Sequence, residues 1–315
     1  MITVSVPSKV HLLGEHAVVY GKPALLAAIS KRISVTISSS KRKQIQGAQI
    51  YGKEIKQLLE ILEKEIQKRT KFKKIETYSI KIRSQVHVGS GLGSSAALSA
   101  GFTAALLTFL KIPWDNKTVF EIAYKGEKFF HGNPSGGDLA SVIEGGFLWY
   151  RKDFEFLKTF TPLPFKPHKN IGQFILINSG KPKESTKDMV EKVSQLKVTS
   201  SRKTQALFNS QEELTKQMVI ALKEGNQDSL IECIKLGELN LEKLGVVGGK
   251  AQSLVRMIEK LEGAAKITGG GGFKEGSGML LVYHKDMERL LIYAKRKSLE
   301  VLKIQIGEEG LRRDE

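Results

Sequence analysis

The chain of 315 residues has a single cysteine, Cys233, which excludes a disulfide within the chain and a cysteine metal cluster. Cys233 lies between Ile231 and Ile234 in a helical run, where a thiol packs as a small apolar group. Prolines number only eight and 41% of residues are hydrophobic, so the composition is that of a globular chain and not a disordered one. No apolar run approaches the roughly 20 residues of a membrane span. The opening, Met1 to Val6, has neither the charged start nor the apolar core of a secretory signal, and a cytoplasmic chain without membrane contact is expected.

Negative charge is also scarce: 33 Asp and Glu against 50 Lys and Arg leave a formal charge of +17. Lysines scattered along amphipathic runs such as Ile55 to Lys68 suit a solvated cationic surface, and attraction of an anionic substrate is a second reading. The clusters Lys31-Arg32, Lys41-Arg42-Lys43 and Lys71-Phe72-Lys73-Lys74 lack the interleaved stacking aromatics of a single-strand binder. Nucleic acid is therefore not the expected partner.

What the chain does have is glycine in special places. Val88-Gly89-Ser90-Gly91-Leu92-Gly93-Ser94-Ser95 follows a strand-like run through Tyr78, Ile80 and Ile82, and it leads into an alanine- and leucine-rich helix reaching about Leu110. A glycine loop ahead of a helix gathers backbone N–H groups and the positive end of the helix dipole at one point, which binds phosphate. A tight turn that only permits close helix packing is the plainer reading. No Lys-Ser or Lys-Thr pair follows the last glycine, so this is not a Walker loop.

Two further stretches bear titratable groups on turns. Lys9, Glu15 and His16 fall within a short span around Gly14 and Gly21, where Glu15 is either functional or salt-bridged to a nearby lysine. His131-Gly132-Asn133-Pro134-Ser135-Gly136-Gly137 delivers Asp138 to the head of a small-residue run, as a helix N-cap or as a general base. Pro162, Pro164 and Pro167 mark a composition shift, and the spacing predicts two domains, 1–167 and 168–315, with the last strand free to return to the first. Beyond it, helices are predicted from Glu184 to Leu196, Ser210 to Glu224, Asp228 to Leu244 and Lys250 to Leu261. The loop from Gly269 to Gly278, between two strands expected to pair, reads as a mobile ligand cover more readily than as a linker.

Gly14-Glu15-His16-Ala17-Val18-Val19-Tyr20-Gly21, Gly89 to Ala97, and His131 to Gly136 before Asp138 together resemble the GHMP kinase superfamily, and within it the mevalonate kinases. Gly145-Gly146-Phe147-Leu148 and Ser185-Thr186-Lys187 support the likeness. The resemblance implies a two-domain α/β (α+β) fold, with a ribosomal-S5-domain-2-like N-terminal domain and a ferredoxin-like C-terminal domain. It also implies phosphoryl transfer from ATP, with Mg²⁺, to the primary hydroxyl of mevalonate; a homodimer is left open.

Carried over by resemblance, Gly89, Ser90, Gly91, Leu92, Gly93, Ser94 and Ser95 cradle the phosphates, and Ser95 with Glu127 holds magnesium. Asp138 takes or orients the hydroxyl proton, Lys9 holds that hydroxyl, and Glu15 and His16 bind the acceptor. Two departures bear on acceptor choice: the long loop after Thr268, with Phe273, Lys274 and Glu275, and Gly137 where a β-branched residue is usual. Phosphomevalonate kinase or another small-molecule kinase of this superfamily is the alternative activity, and a nucleotide- or RNA-binding protein without catalysis is the alternative class.

Overall fold

The computed structural model describes residues 1–47, 54–70, 75–86 and 91–314. Gly89, Ser90 and the Lys71-Phe72-Lys73-Lys74 cluster lie outside the described residues. In chain order the first half folds as β1 (Ile2–Leu13), β2 (Ala24–Ser39), β3 (Gln44–Gln46), α1 (Glu54–Arg69), β4 (Tyr78–Ser84), α2 (Ser94–Phe109), α3 (Asn116–His131), α4 (Gly137–Glu144), β5 (Phe147–Lys152) and β6 (Lys158–Leu163). The second half runs β7 (Phe174–Asn178), α5 (Thr186–Thr199), α6 (Ser201–Glu224), α7 (Gln227–Lys243), α8 (Gly249–Glu259), β8 (Ala264–Ile267), β9 (Met279–Tyr283), α9 (Met287–Arg296), β10 (Val301–Ile304) and β11 (Arg312–Arg313).

Strand β2 is the spine of the first sheet. One edge pairs with β1 along its length, and the other pairs with β5 at Ala24 to Ala27 and with β4 at Ile33 to Ser39. Helix α2 is buried nearly all round and lies on β1 and β2, which explains its uniformly apolar sequence. Residues Val4 to Val10 of β1 are buried on both faces, so this strand reads as a continuous run and not as an alternation. The second sheet has the order β10-β7-β9-β8, all antiparallel, and α6 and α7 reach from it to touch β1. Cys233 is buried in α7, and burial pushes its thiol up to about 11, as packing without reactivity requires.

Several elements differ from the sequence expectation. Helix α6 begins at Ser201, not Ser210, because its first turns are polar and bury only Thr204 and Phe208. Phe208 stacks on Tyr20 with ring centroids 4.6 Å apart, a distant contact that local periodicity does not record. Strand β6 carries Pro162 opposite Leu148 and, among the described residues, pairs with β5 alone, as an edge strand that tolerates proline.

The chain's last segment is sewn into the first sheet. Strand β11 pairs with β1 at Val4↔Arg313 and Ser5↔Arg312, Leu311 N donates to Ile143 O at 3.0 Å, and Gly146 N donates to Glu308 O at 2.7 Å. Arg32 on β2 donates to Ser5 O at 3.0 Å, Glu309 O at 2.7 Å and Gly310 O at 2.6 Å. Gly145, which ends α4, has φ 73° and ψ −165°, a region open to glycine alone, and a methyl group there would stand 2.6 Å from Gly310 Cα. Gly145→Ala is therefore expected to lose about 2–4 kcal/mol of stability in urea unfolding, combining strain and overpacking. A loss under about 0.5 kcal/mol, within the range of an ordinary surface change, would show that this segment is not locked.

Candidate active site

The glycine loop meets β1 before it enters α2. Lys9 N donates to Leu92 O at 3.0 Å, and Gly93, the N-cap of α2 at φ 73°, lies so close to Lys9 that a methyl group would stand 2.9 Å from Lys9 Cγ. Ser94 and Ser95 open the helix, and its first turn has no acidic residue to oppose an anion there. The described part of the loop, Gly91 to Ser95, therefore leaves an anion-favouring helix start next to a buried lysine.

That lysine is 2% exposed and reaches Asp138, with Nζ 3.0 Å from Oδ1. Asp138 lies in the first turn of α4 and is not its N-cap, a position held by Gly136. Burial by itself would raise the Asp138 carboxyl, but Lys9 and His11 hold it well below the usual carboxylate range. His11 Nε2 stands 3.4 Å from the same oxygen, Oδ1. Asp138 is thus a fixed anion that remains 41% exposed at its side chain.

A second group forms where α2 and α3 meet. Ser95 Oγ is 3.5 Å from Glu127 Oε2 and 3.0 Å from His131 Nε2, and Ser99 Oγ donates to Glu127 Oε1 at 3.4 Å. Glu127 is 3% exposed; burial, then the Asp138 charge, push its carboxyl up to about 8 despite the two hydroxyls. A carboxylate so short of positive partners fits a cation, with Ser95 adding a neutral oxygen. No set of three or more acidic, histidine or cysteine ligands occurs among the described residues, so the remaining donors would be phosphate and water. Burial lowers His131, which keeps the ring largely neutral beside these groups.

The third group is buried beneath the turn Gly14-Glu15-His16. Glu15 does have a lysine partner, but the partner is Lys266 on β8, entirely buried, and not a neighbour in sequence. Lys266 Nζ also donates to Ile267 O at 2.5 Å, and Glu238 on α7 accepts from Ile267 N at 2.9 Å. His16 has φ 60° in a non-glycine residue, a strained backbone of the kind that collects at functional sites. Its Nε2 donates to Gly270 O at 3.0 Å, and burial lowers its pKa. The loop after Thr268, read from the sequence as a ligand cover, makes contacts with neighbouring segments: Gly272 N donates to Val246 O, Lys274 N to Glu184 Oε1, and Lys183 pairs with Glu275.

Of the expected residues, then, Lys9 and Asp138 meet directly, Ser95 meets Glu127, and His16 meets the last glycine loop. His11, His131, Lys266 and Glu238 were missed. For His11 the signal was present: residues i and i+2 of a strand share a face, so His11 follows Lys9. Lys266 sits in an otherwise apolar strand and Glu238 in a mixed helix beside Lys235, Asn240 and Glu242, and both find their partners only through the fold.

The sequence profile of the GHMP kinases' N-terminal domain matches residues 53–146. A mevalonate kinase of Archaeoglobus fulgidus is 30% identical over 270 residues, covering 85% of this chain and 88% of its own. One from Aeropyrum pernix is 26% identical over 332 residues, covering 99% and 98%. Among solved structures, an L. major mevalonate kinase in complex with R-mevalonate superposes with a TM-score of 0.82 at 20% identity, over 97% of this chain and 96% of that one. The Methanococcus jannaschii mevalonate kinase gives 0.81 at 20% identity, over 97% and 98%.

The buried charges carry a pH signature. Burial, with Glu242 and Glu15 adding to it, raises Glu238 to about 8 against the lowering effects of Ile267 N–H and Lys266. The folded state then holds a proton that the unfolded chain releases at lower pH, so stability falls as pH rises between the two ionisations, by up to about 1.4 kcal/mol per pH unit. Glu238→Gln keeps an acceptor for Ile267 N and removes the titration. Thermal melts from pH 5 to 9 are expected to show a flatter profile for the variant and a higher melting temperature than the parent above pH 8; parallel profiles would refute the assignment.

Proposed function

This chain belongs to the GHMP kinase family, a family of ATP-using kinases, and on that premise we propose that it transfers the γ-phosphoryl group of Mg-ATP to the C5 hydroxyl of mevalonate, giving 5-phosphomevalonate at an early step of isoprenoid synthesis. The observation that carries this reading is the Lys9–Asp138 pair at 3.0 Å beside the start of α2. A protein that only binds a nucleotide has no use for a proton acceptor there. The mevalonate kinase names of near full-length relatives support this acceptor.

In this mechanism the backbone N–H groups of the loop and the first turn of α2 hold the phosphates, and Glu127 with Ser95 holds Mg²⁺. The metal, when bound, neutralises phosphate charge and orients the transferred group. The acceptor oxygen forms its bond to the γ-phosphorus as the bond to the departing ADP oxygen breaks, and the hydroxyl proton passes to Asp138. A carboxylate held below its ordinary range is a weak base, so the proton moves late, once the oxygen is already bonding to phosphorus. Lys9 stabilises the oxygen as it loses that proton.

Glu15 and His16 are assigned to the acceptor. Glu15 is paired with Lys266 and fixes the turn, while His16 stands at the glycine loop that the acceptor shares. The two sequence departures are taken up by contacts within the fold. The space beside Gly137 is taken by Tyr150, whose Cδ1 would lie 3.1 Å from a methyl group there. The added residues Lys274 and Glu275 make their contacts with Glu184 and Lys183.

The test is ADP release with Mg-ATP and mevalonate, phosphomevalonate, homoserine or galactose in turn. Turnover with mevalonate is expected, and Asp138→Asn and Lys9→Met should each lower kcat by about a hundredfold or more, with nucleotide affinity kept. Turnover with another acceptor alone, or folded variants within a few-fold of the parent, would refute the assignment.

A further inference from the structure

We propose that His11 is a positioning residue for the proton-accepting carboxylate: with Lys9 it anchors one oxygen of Asp138, so that the other is turned to the acceptor hydroxyl. The inference rests on the phosphoryl-transfer reading above and adds a residue to it. Lys9 Nζ at 3.0 Å and His11 Nε2 at 3.4 Å both address Oδ1 of Asp138. A carboxylate held twice at one oxygen cannot rotate freely about its Cβ–Cγ bond, and the free oxygen, Oδ2, acquires a fixed direction.

Three further observations place the imidazole there by construction. Lys9 and His11 are two residues apart on β1 and share a face, while the intervening Val10 is fully buried. The pairing of β1 with β2 shifts register between His11 and Leu13, a bulge of the sort that aims side chains beside active sites. The backbone around His11 is held from the second sheet: His11 N donates to Thr268 Oγ1 at 2.8 Å, and Lys266 Nζ donates to His11 O at 3.4 Å. The side chain is 16% exposed, and its Nδ1 is buried with no hydrogen-bond partner among the described residues.

The acceptor fixes the direction of the contact. A carboxylate accepts and does not donate, so Nε2 bears the hydrogen of this contact. The ring therefore adds a directional hydrogen bond to the Lys9 ion pair on the same oxygen.

The experiment compares His11→Leu, His11→Gln and His11→Asn with the parent on the acceptor that supports turnover, alongside Asp138→Asn. Gln can present an N–H near the place of Nε2, whereas Asn is too short and Leu has no donor. His11→Leu and His11→Asn are expected to lower kcat by about ten- to a hundredfold, the effect of a misplaced reacting group, with KM for ATP within about twofold. His11→Gln should recover kcat to within about threefold of the parent, a rescue that simple packing would not produce.

Melting temperatures and nucleotide binding establish that each variant is folded. Turnover of folded His11→Leu within twofold of the parent overturns the inference, as does a folded Gln variant no better than Leu. If Asp138→Asn is inactive while His11→Leu is normal, only this inference fails. If Asp138→Asn keeps its turnover, or no acceptor is used at all, the phosphoryl-transfer reading fails and takes this inference with it.

Discussion

An ammonium group buried on β1 is the constraint on which the site depends. Removing a charge from water costs several kcal/mol unless an opposite charge faces it, and Lys9 is 2% exposed with Asp138 as its carboxylate partner. The pair forms only if three separate pieces are in place: β1 bearing Lys9, α4 bearing Asp138 in its first turn, and the glycine loop, which has no side chain at Gly93 to obstruct the lysine stem. Assembly of the site and satisfaction of the buried charge are one event. A chain that packs this core has also placed an anion and a cation side by side at the start of α2.

The same logic operates a second time, between the sheets. Lys266 is fully buried on β8 and pairs with Glu15, from the turn that follows β1. Glu238 on α7 approaches from a third direction and holds the backbone of Ile267. Neither carboxyl group has all its oxygens paired: among the described residues, Glu15 Oε2 and Glu238 Oε1 are buried without partners. A network of this kind contributes little net stability, but it strongly disfavours arrangements in which the charges part. It therefore fixes how the second sheet sits against the turn that presents His16.

Local patterns made much of this legible in the sequence. The strand, glycine loop and apolar helix of Gly91 to Phe109 are dictated by composition over neighbouring residues, as are the turn before Asp138 and the helix bearing Glu127. What escaped depends on partners far along the chain. Lys266 sits in a strand whose other residues are apolar, and only the fold reveals that Glu15 waits for it. The first turns of α6 are polar on most faces, and β11 is two arginines with no hydrophobic pattern at all. His11 is the intermediate case, since the two-residue period of a strand points it the same way as Lys9, but only the placement of α4 supplies the carboxylate.

The pairing of β11 with β1 has a consequence for biosynthesis. The edge of β1 at Val4 and Ser5 is completed by Arg312 and Arg313, residues translated almost a whole chain later. At roughly 5–20 residues per second, that edge emerges from the ribosome on the order of tens of seconds before its partner exists. During this interval the nascent first sheet presents an open strand edge, and Arg32 has none of the Glu309 and Gly310 carbonyls it will later bind. The clasp around the end of α4 closes only once residues 308–313 have been made, so the helix bearing Asp138 gains this support long after its own synthesis.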